Sequence, residues 1–150
     1  MIGIGYDSHR FADGRRLVLG GVEIDHPQGL DGHSDADAVT HAVIDAILGA
    51  AGGGDIGTLF PPEEERWRGA SSIDLLRTAI GTIAGMVVNV DATVICEAPK
   101  LVPYKAQMER LLAEATSARV TVKATTNEGM GWIGRGEGIA CIAVAQVDDD

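Results

Sequence analysis

The chain has 150 residues with a formal net charge of −10, and that acidic balance argues against nucleic acid or an anionic membrane as its main partner, since phosphate backbones are met by basic surfaces. Its length and 45% hydrophobic content suffice for one core and hardly for two, so the expectation is a single catalytic domain over 1–150. No stretch approaches the roughly 18 apolar residues of a membrane span, and the first residues lack the basic and apolar regions of a signal peptide, which predicts a cytoplasmic protein.

The elements follow in chain order. Residues 2–11 read as a half-buried strand in which Ile2, Ile4 and Tyr6 alternate with small residues, so Asp7 and His9, two apart, project from one strand face. Leu17 to Ile24 reads as a second strand interrupted at Gly20-Gly21, a potential hairpin. The spacing of Val39, Ala42, Val43, Ala46 and Ile47 predicts a helix over 34–51 with Ser34 as N-cap and Gly52-Gly53-Gly54 as the stop. A second helix is expected over 72–84, a strand over 87–97, a third helix from Pro103 to Glu114, and strands over 119–126 and 138–147. Asp148-Asp149-Asp150 reads as a solvated tail. The fold class expected is α+β: a compact two-layer sandwich of a mixed β-sheet packed with helices.

Two imidazoles and one carboxylate, His9, His41 and Asp7, form the pattern with the most chemical content. Such a set suits zinc, and three protein ligands leave a coordination position open, as catalytic zinc sites do. His41 alone would be read as part of a polar helix face; in company with Asp7 and His9 it reads as a ligand. Asp37, His41 and Asp45 follow at intervals of four on that helix, so Asp37 or Asp45 is placed to orient the imidazole of His41 or His33. His33 precedes a helix start that attracts anions and is assigned to substrate phosphate or to support of the metal site. His26 has no such company and reads as a surface residue. Cys96 and Cys141, far apart without C-x-x-C spacing, read as buried reduced thiols.

Two further segments stand out. Lys123 to Gly131, followed by Gly134-Arg135-Gly136-Glu137-Gly138, joins two strands through a glycine-dense loop. It suits a phosphate bound with a divalent cation, or equally a flexible hairpin loop of incidental polarity. Ala98-Pro99-Lys100-Leu101-Val102-Pro103 is a stiff loop that could enclose a flat ring and a phosphate, a weak signal by itself.

Together, Asp7-Ser8-His9, the run His33 to His41, Gly54-Asp55-Ile56-Gly57 before Phe60-Pro61, Ala98-Pro99-Lys100, and Lys123-Ala124-Thr125-Thr126 through Glu128 to Gly138 resemble the 2-C-methyl-D-erythritol 2,4-cyclodiphosphate synthase family. The resemblance runs from about residue 2 to residue 147. It implies conversion of 4-diphosphocytidyl-2-C-methyl-D-erythritol 2-phosphate into the cyclic diphosphate with release of CMP, a phosphorus–oxygen lyase reaction of the non-mevalonate isoprenoid pathway. It makes Asp7, His9 and His41 the zinc ligands and Glu128 the holder of magnesium or manganese. His33, Ser34, Thr125, Thr126 and Asp37 become catalytic or phosphate-orienting residues, Asp55, Ile56, Gly57 and Arg135 substrate contacts, and Ala98, Pro99, Lys100, Leu101 and Val102 the cytidine pocket. It also implies a homotrimer with active sites between subunits. Ala36 stands where glycine is common in the family, and Ile142 where some members carry a glutamate that pairs with the arginine matching Arg135. The rival expectations are a zinc-dependent nucleotide-diphosphate phosphodiesterase and a non-catalytic nucleotide-binding trimer.

Overall fold

In the computed structural model, which describes residues 1–149, the first strand β1 (Ile2–Ala12) sets the arrangement because its odd-numbered residues have almost no side chain until Asp7. Gly3 and Gly5 lie directly under helix α1 (Ala38–Ala51), and a Cβ on either would overlap the helix backbone at Ala46 or Ala42. The helix therefore seats against bare strand. Because side chains alternate along a strand, Asp7 and His9 continue the row begun by Gly3 and Gly5 and face the same helix. Ile2, Ile4 and Tyr6 point to the other side, 76%, 71% and 54% exposed. The expected alternation is present, then, with its polarity reversed: glycine faces the core, and the large apolar side chains face out.

A short hairpin of β2 (Leu17–Leu19) and β3 (Val22–Ile24) forms at Gly20-Gly21 as expected, and β4 (Gly29–Leu30) pairs with the end of β1. After α1 come α2 (Ile56–Leu59), a 3-10 turn at Glu65–Trp67 and α3 (Ser72–Ile80). Next are β5 (Met86–Ile95), a 3-10 turn at Val102–Tyr104, α4 (Lys105–Thr116), β6 (Arg119–Thr125), α5 (Gly131–Gly134) and β7 (Gly138–Asp148). The main sheet has the order β4-β1-β7-β5-β6, with β7 antiparallel to both β1 and β5 and β6 parallel to β5. It is a mixed sheet with helices on one face, the α+β sandwich expected. Strand β7 runs one residue further than expected, taking in Asp148; Asp150 lies outside the described residues.

Helix α1 is buried along nearly its whole length, with Val39, Val43, Ile44, Ile47 and Leu48 fully enclosed. Each such side chain removed from water contributes roughly 1.5–3 kcal/mol before entropy is counted. The helix starts later than expected. Its N-cap is Asp37, whose carboxylate accepts the Thr40 N–H at 3.0 Å, while Ser34 stands outside the helix at φ +54. Gly52, at φ +70, ends it as expected.

The register places the later argument. Asp7 pairs with Cys141, Cys141 with Val94, and Val94 with Ala124. The ends of β1, β5 and β6 that carry the singled-out residues thus lie toward the same end of the sheet. Asp7 and Ala124 are nevertheless three strand spacings apart, about 14 Å at roughly 4.8 Å each.

Candidate metal and phosphate site

Asp7, His9 and His41 converge, and their ligating atoms all lie within 4.8 Å of one another. Asp7 Oδ2 is 2.7 Å from His9 Nε2 and 3.5 Å from His41 Nδ1. Among the described residues, neither Asp7 Oδ2 nor His9 Nε2 has a hydrogen-bond partner of acceptable direction, although both atoms are buried.

The surrounding bonds decide what these atoms present. His9 Nδ1 lies 2.8 Å from the Asp31 carbonyl oxygen, which can only accept, so Nδ1 carries the proton and Nε2 presents a lone pair in the neutral ring. On His41, Nε2 meets Ser72 Oγ at 2.9 Å and Ser34 Oγ at 3.1 Å. The Ser72 hydroxyl donates to the Asp35 carboxylate, so its oxygen accepts from His41 Nε2–H and the lone pair of Nδ1 is left facing Asp7. Three acceptor atoms pointed at one another require a proton or a cation between them. With two imidazole nitrogens and one carboxylate oxygen, the donor set fits a divalent metal of the zinc type.

In the metal-free state the three groups shift one another's titration. Burial pushes the Asp7 carboxyl up, but the imidazoles of His41 and His9 outweigh it and hold Asp7 below its ordinary value. Burial works against the His9 imidazolium, and the Asp7 carboxylate overcomes this and raises His9 above its ordinary 6.5.

Asp37 and Asp45 do not orient the imidazoles. Asp37 is fully buried, and its carboxylate accepts the N–H groups of Gly20 and Gly21 at 2.8 Å each, besides the Thr40 amide and hydroxyl. It fastens the β2–β3 hairpin to the start of α1. Asp45 accepts the Ile56 N–H at 2.7 Å and so holds the segment bearing Ile56. The residues that do support His41 are Ser72 and Asp35. Ser72 lies 31 positions from His41, on another helix, where no local spacing could reveal it. Arg15 also escapes a sequence reading: its guanidinium donates to the carbonyls of Gly32 at 2.7 Å and Ser34 at 3.0 Å, clamping the loop that carries His33.

A cavity of about 160 Å³ opens beside His41, lined by His33, Ser34, Ile56 and Gly57 on one side and by Phe60, Trp67 and Leu75 among its apolar walls. Phe60 and Trp67 meet edge to face at 4.9 Å. Four expected site residues thus surround one cavity next to the cluster. Asp55 caps α2 through the Thr58 N–H at 2.8 Å, and its hydrogen bonds from Thr58 hold its carboxyl below the ordinary range. Ala36, at φ +54, occupies the left-handed region that favours glycine.

The second set gathers elsewhere. Thr125, Thr126 and Glu128 lie exposed at the end of β6, where the Glu128 N–H donates to Thr126 Oγ1 at 3.2 Å. The 98–102 loop stands beside them, since the Cys96 N–H donates to the Thr125 carbonyl at 3.0 Å. Ala98 and Lys100 are exposed, the Ala98–Pro99 bond is cis, and Leu101 turns its side chain into the core. Arg135 pairs with Glu137 at 2.6 Å. None of these residues lines the His41 cavity.

A family model described as the YgbB family matches residues 1–148. The chain belongs to the YgbB family. Among its relatives is a 2-C-methyl-D-erythritol 2,4-cyclodiphosphate synthase of Symbiobacterium thermophilum, 54% identical over 98% of each chain. The structure of a 2C-methyl-D-erythritol-2,4-cyclodiphosphate synthase in a CDP-bound form superposes with TM-score 0.87 at 35% identity, covering 99% of this chain and 100% of that one. The bifunctional IspDF of Campylobacter jejuni superposes with TM-score 0.91 at 41% identity; there the chain covers 41% of the longer protein. Among the described residues no helix is long and apolar enough to cross a membrane.

Proposed function

We propose that this YgbB-family chain is a 2-C-methyl-D-erythritol 2,4-cyclodiphosphate synthase, converting 4-diphosphocytidyl-2-C-methyl-D-erythritol 2-phosphate into the cyclic diphosphate and CMP in isoprenoid biosynthesis. The observation that carries the reading is the convergence of Asp7, His9 and His41, with Asp7 Oδ2 and His9 Nε2 buried and unpartnered, beside a mostly apolar cavity that His41 lines. A near full-length relative of that name supports it.

In the reaction an oxygen of the 2-phosphate attacks the β-phosphorus, the bond from that phosphorus to the CMP oxygen breaks, and CMP departs as the ring closes. Asp7, His9 and His41 would hold zinc and Glu128 magnesium or manganese, ions that supply positive charge to the phosphoryl oxygens when bound. The chain's own contribution is positioning. His33 stands exposed at the cavity mouth, placed to donate to a phosphate oxygen, with Arg15 fixing its loop. Ile56 and Gly57, held by Asp45, offer the floor for the methylerythritol carbons. Phe60, Trp67 and Leu75 exclude water from the reacting centre, which favours ring closure over hydrolysis.

The second cation site and the cytidine loop come, in this reading, from a neighbouring subunit. Two cations that both neutralise one diphosphate would have to be held close together, whereas the strands that lead to Asp7 and to Glu128, β1 and β6, are three strand spacings apart in one chain. The exposed face of Ile2, Ile4, Tyr6, Ile142 and Val144 would be covered by the partner copies of a homotrimer. Thr125 and Thr126 would orient the diphosphate, Arg135 would meet substrate, and Ala98, Pro99, Lys100, Leu101 and Val102 would enclose the cytosine, Leu101 through its backbone. The reading includes a cytoplasmic location, which the buried free thiols of Cys96 and Cys141 suit.

The test is phosphorus NMR of the products after incubating the purified, zinc-loaded protein with this substrate and magnesium. Coupled signals of a cyclic diphosphate together with CMP support the synthase; an open-chain phosphate points to a phosphodiesterase, and unchanged substrate to a binding module.

A further inference from the structure

Glu97 lies between the two loops of the second set and belongs to neither expected group. It is the residue before the 98–102 segment, and its Oε1 accepts two backbone hydrogen bonds from the other loop, from Asn127 N–H at 3.1 Å and from Gly129 N–H at 3.0 Å. Those two amides flank Glu128. The turn they define is unusual, because Glu128 has φ +54, in the left-handed region that non-glycine residues seldom adopt. Gly129 follows at φ +74, and a Cβ on Gly134 would overlap its backbone.

Every local bond serves to hold that turn. Thr126 Oγ1 takes the Glu128 N–H, and the Asn127 side chain donates to the Met130 carbonyl at 2.9 Å. The Glu128 carboxylate itself is exposed and has no hydrogen bond or ion pair among the described residues, so it is presented outward. A backbone held in a sparsely populated conformation needs surroundings that overdetermine it. A single carboxylate oxygen bonded to two amides on either side of the strained residue does this.

We propose that Glu97 is the positioning residue for the second cation: by gripping the Asn127 and Gly129 amides it fixes the Glu128 carboxylate, and it ties that carboxylate to the loop that receives the nucleobase. The proposal rests on the reading of Glu128 as a cation ligand and adds a residue that reaches the metal only through the backbone. What matters at position 97 is then an acceptor oxygen at the right reach, not a negative charge.

The experiment titrates Mn²⁺ into the zinc-loaded protein in the presence of cytidine 5′-diphosphate and follows free Mn²⁺ by electron paramagnetic resonance, with zinc content measured in parallel. Glu97→Ala should weaken Mn²⁺ binding by about tenfold, while Glu97→Gln, which keeps an acceptor oxygen, stays close to the parent and both retain full zinc. Parent-like binding in Glu97→Ala overturns the proposal. Equal weakening in Glu97→Gln also overturns it, because charge and not acceptor geometry would then be at work. Glu128→Ala separates the two levels of the claim: parent-like binding there removes Glu128 as the ligand, and the role of Glu97 with it. Should Glu97→Ala not fold, amide exchange in the parent decides, since slow exchange at Asn127 and Gly129 is required and fast exchange contradicts the grip.

Discussion

Ser72 Oγ lies 2.9 Å from His41 Nε2 and donates its own O–H to the Asp35 carboxylate, so that a helix remote in sequence fixes which nitrogen of His41 faces Asp7. Ser72 is fully buried, and the Asp35 carboxylate also takes its N–H at 3.0 Å. Replacing Ser72 by Ala frees the imidazole to rotate and to change tautomer. Zinc affinity, measured by competition with a chromogenic chelator, should fall by about tenfold, with Ser34 Oγ retaining part of the orientation.

Asp37→Ala is expected to act on stability and not on the metal. It removes the acceptor for three backbone N–H groups and a hydroxyl in a site closed to water. The cost should be about 3 kcal/mol or more by chemical denaturation, while the fraction still folded binds zinc as the parent does.

Gly5→Ala and Gly49→Ala make a matched pair on the two sides of one interface. At Gly5 a methyl would overlap Ala42 O and force α1 off the strand, whereas around Gly49 the nearest atoms are 4.0 Å away. Gly5→Ala should destabilise by about 3 kcal/mol. Gly49→Ala, in a helix interior with room for the methyl, should stabilise by about 0.5 kcal/mol.

The pH dependence of stability should differ in sign between metal-free and zinc-loaded protein. In the metal-free protein His9 is raised above 6.5, so its contribution is fully present below about 6.5 and is lost as pH rises through the raised folded value. Asp7 is held below its ordinary 3.8, and its contribution disappears as pH falls through that lower value. Melting temperature without zinc should therefore drop as pH rises above about 6.5 in the part due to this cluster, and a His9→Ala variant should lack that part. With zinc, the ligands must be deprotonated, so the stabilisation by metal grows over the same interval.

The sequence disclosed those features that depend on local spacing. The i, i+2 placement of Asp7 and His9, the 3.6-residue period of α1 and the glycine pair of the β2–β3 hairpin each act within a few residues, and each is found as expected. The reversed polarity of β1 was hidden because Gly3 and Gly5 look like spacers until the helix that needs them is in place. The helix start differs from the expected one for a related reason. Ser34 and Asp37 are both good caps, and what selects Asp37 is its grip on Gly20 and Gly21, a contact spanning 17 residues. Ser72, Asp35, Arg15 and the aromatic wall of Phe60 and Trp67 likewise reach the candidate site only through tertiary contacts.

The measurement that tests the central claim most directly is the reaction run in ¹⁸O-enriched water, with the isotope shift of each phosphorus signal read by NMR. Ring closure by the substrate's own 2-phosphate predicts a cyclic diphosphate and CMP that both lack the label. Label in either phosphate would show that water is the nucleophile and contradict the assignment of this site to cyclisation.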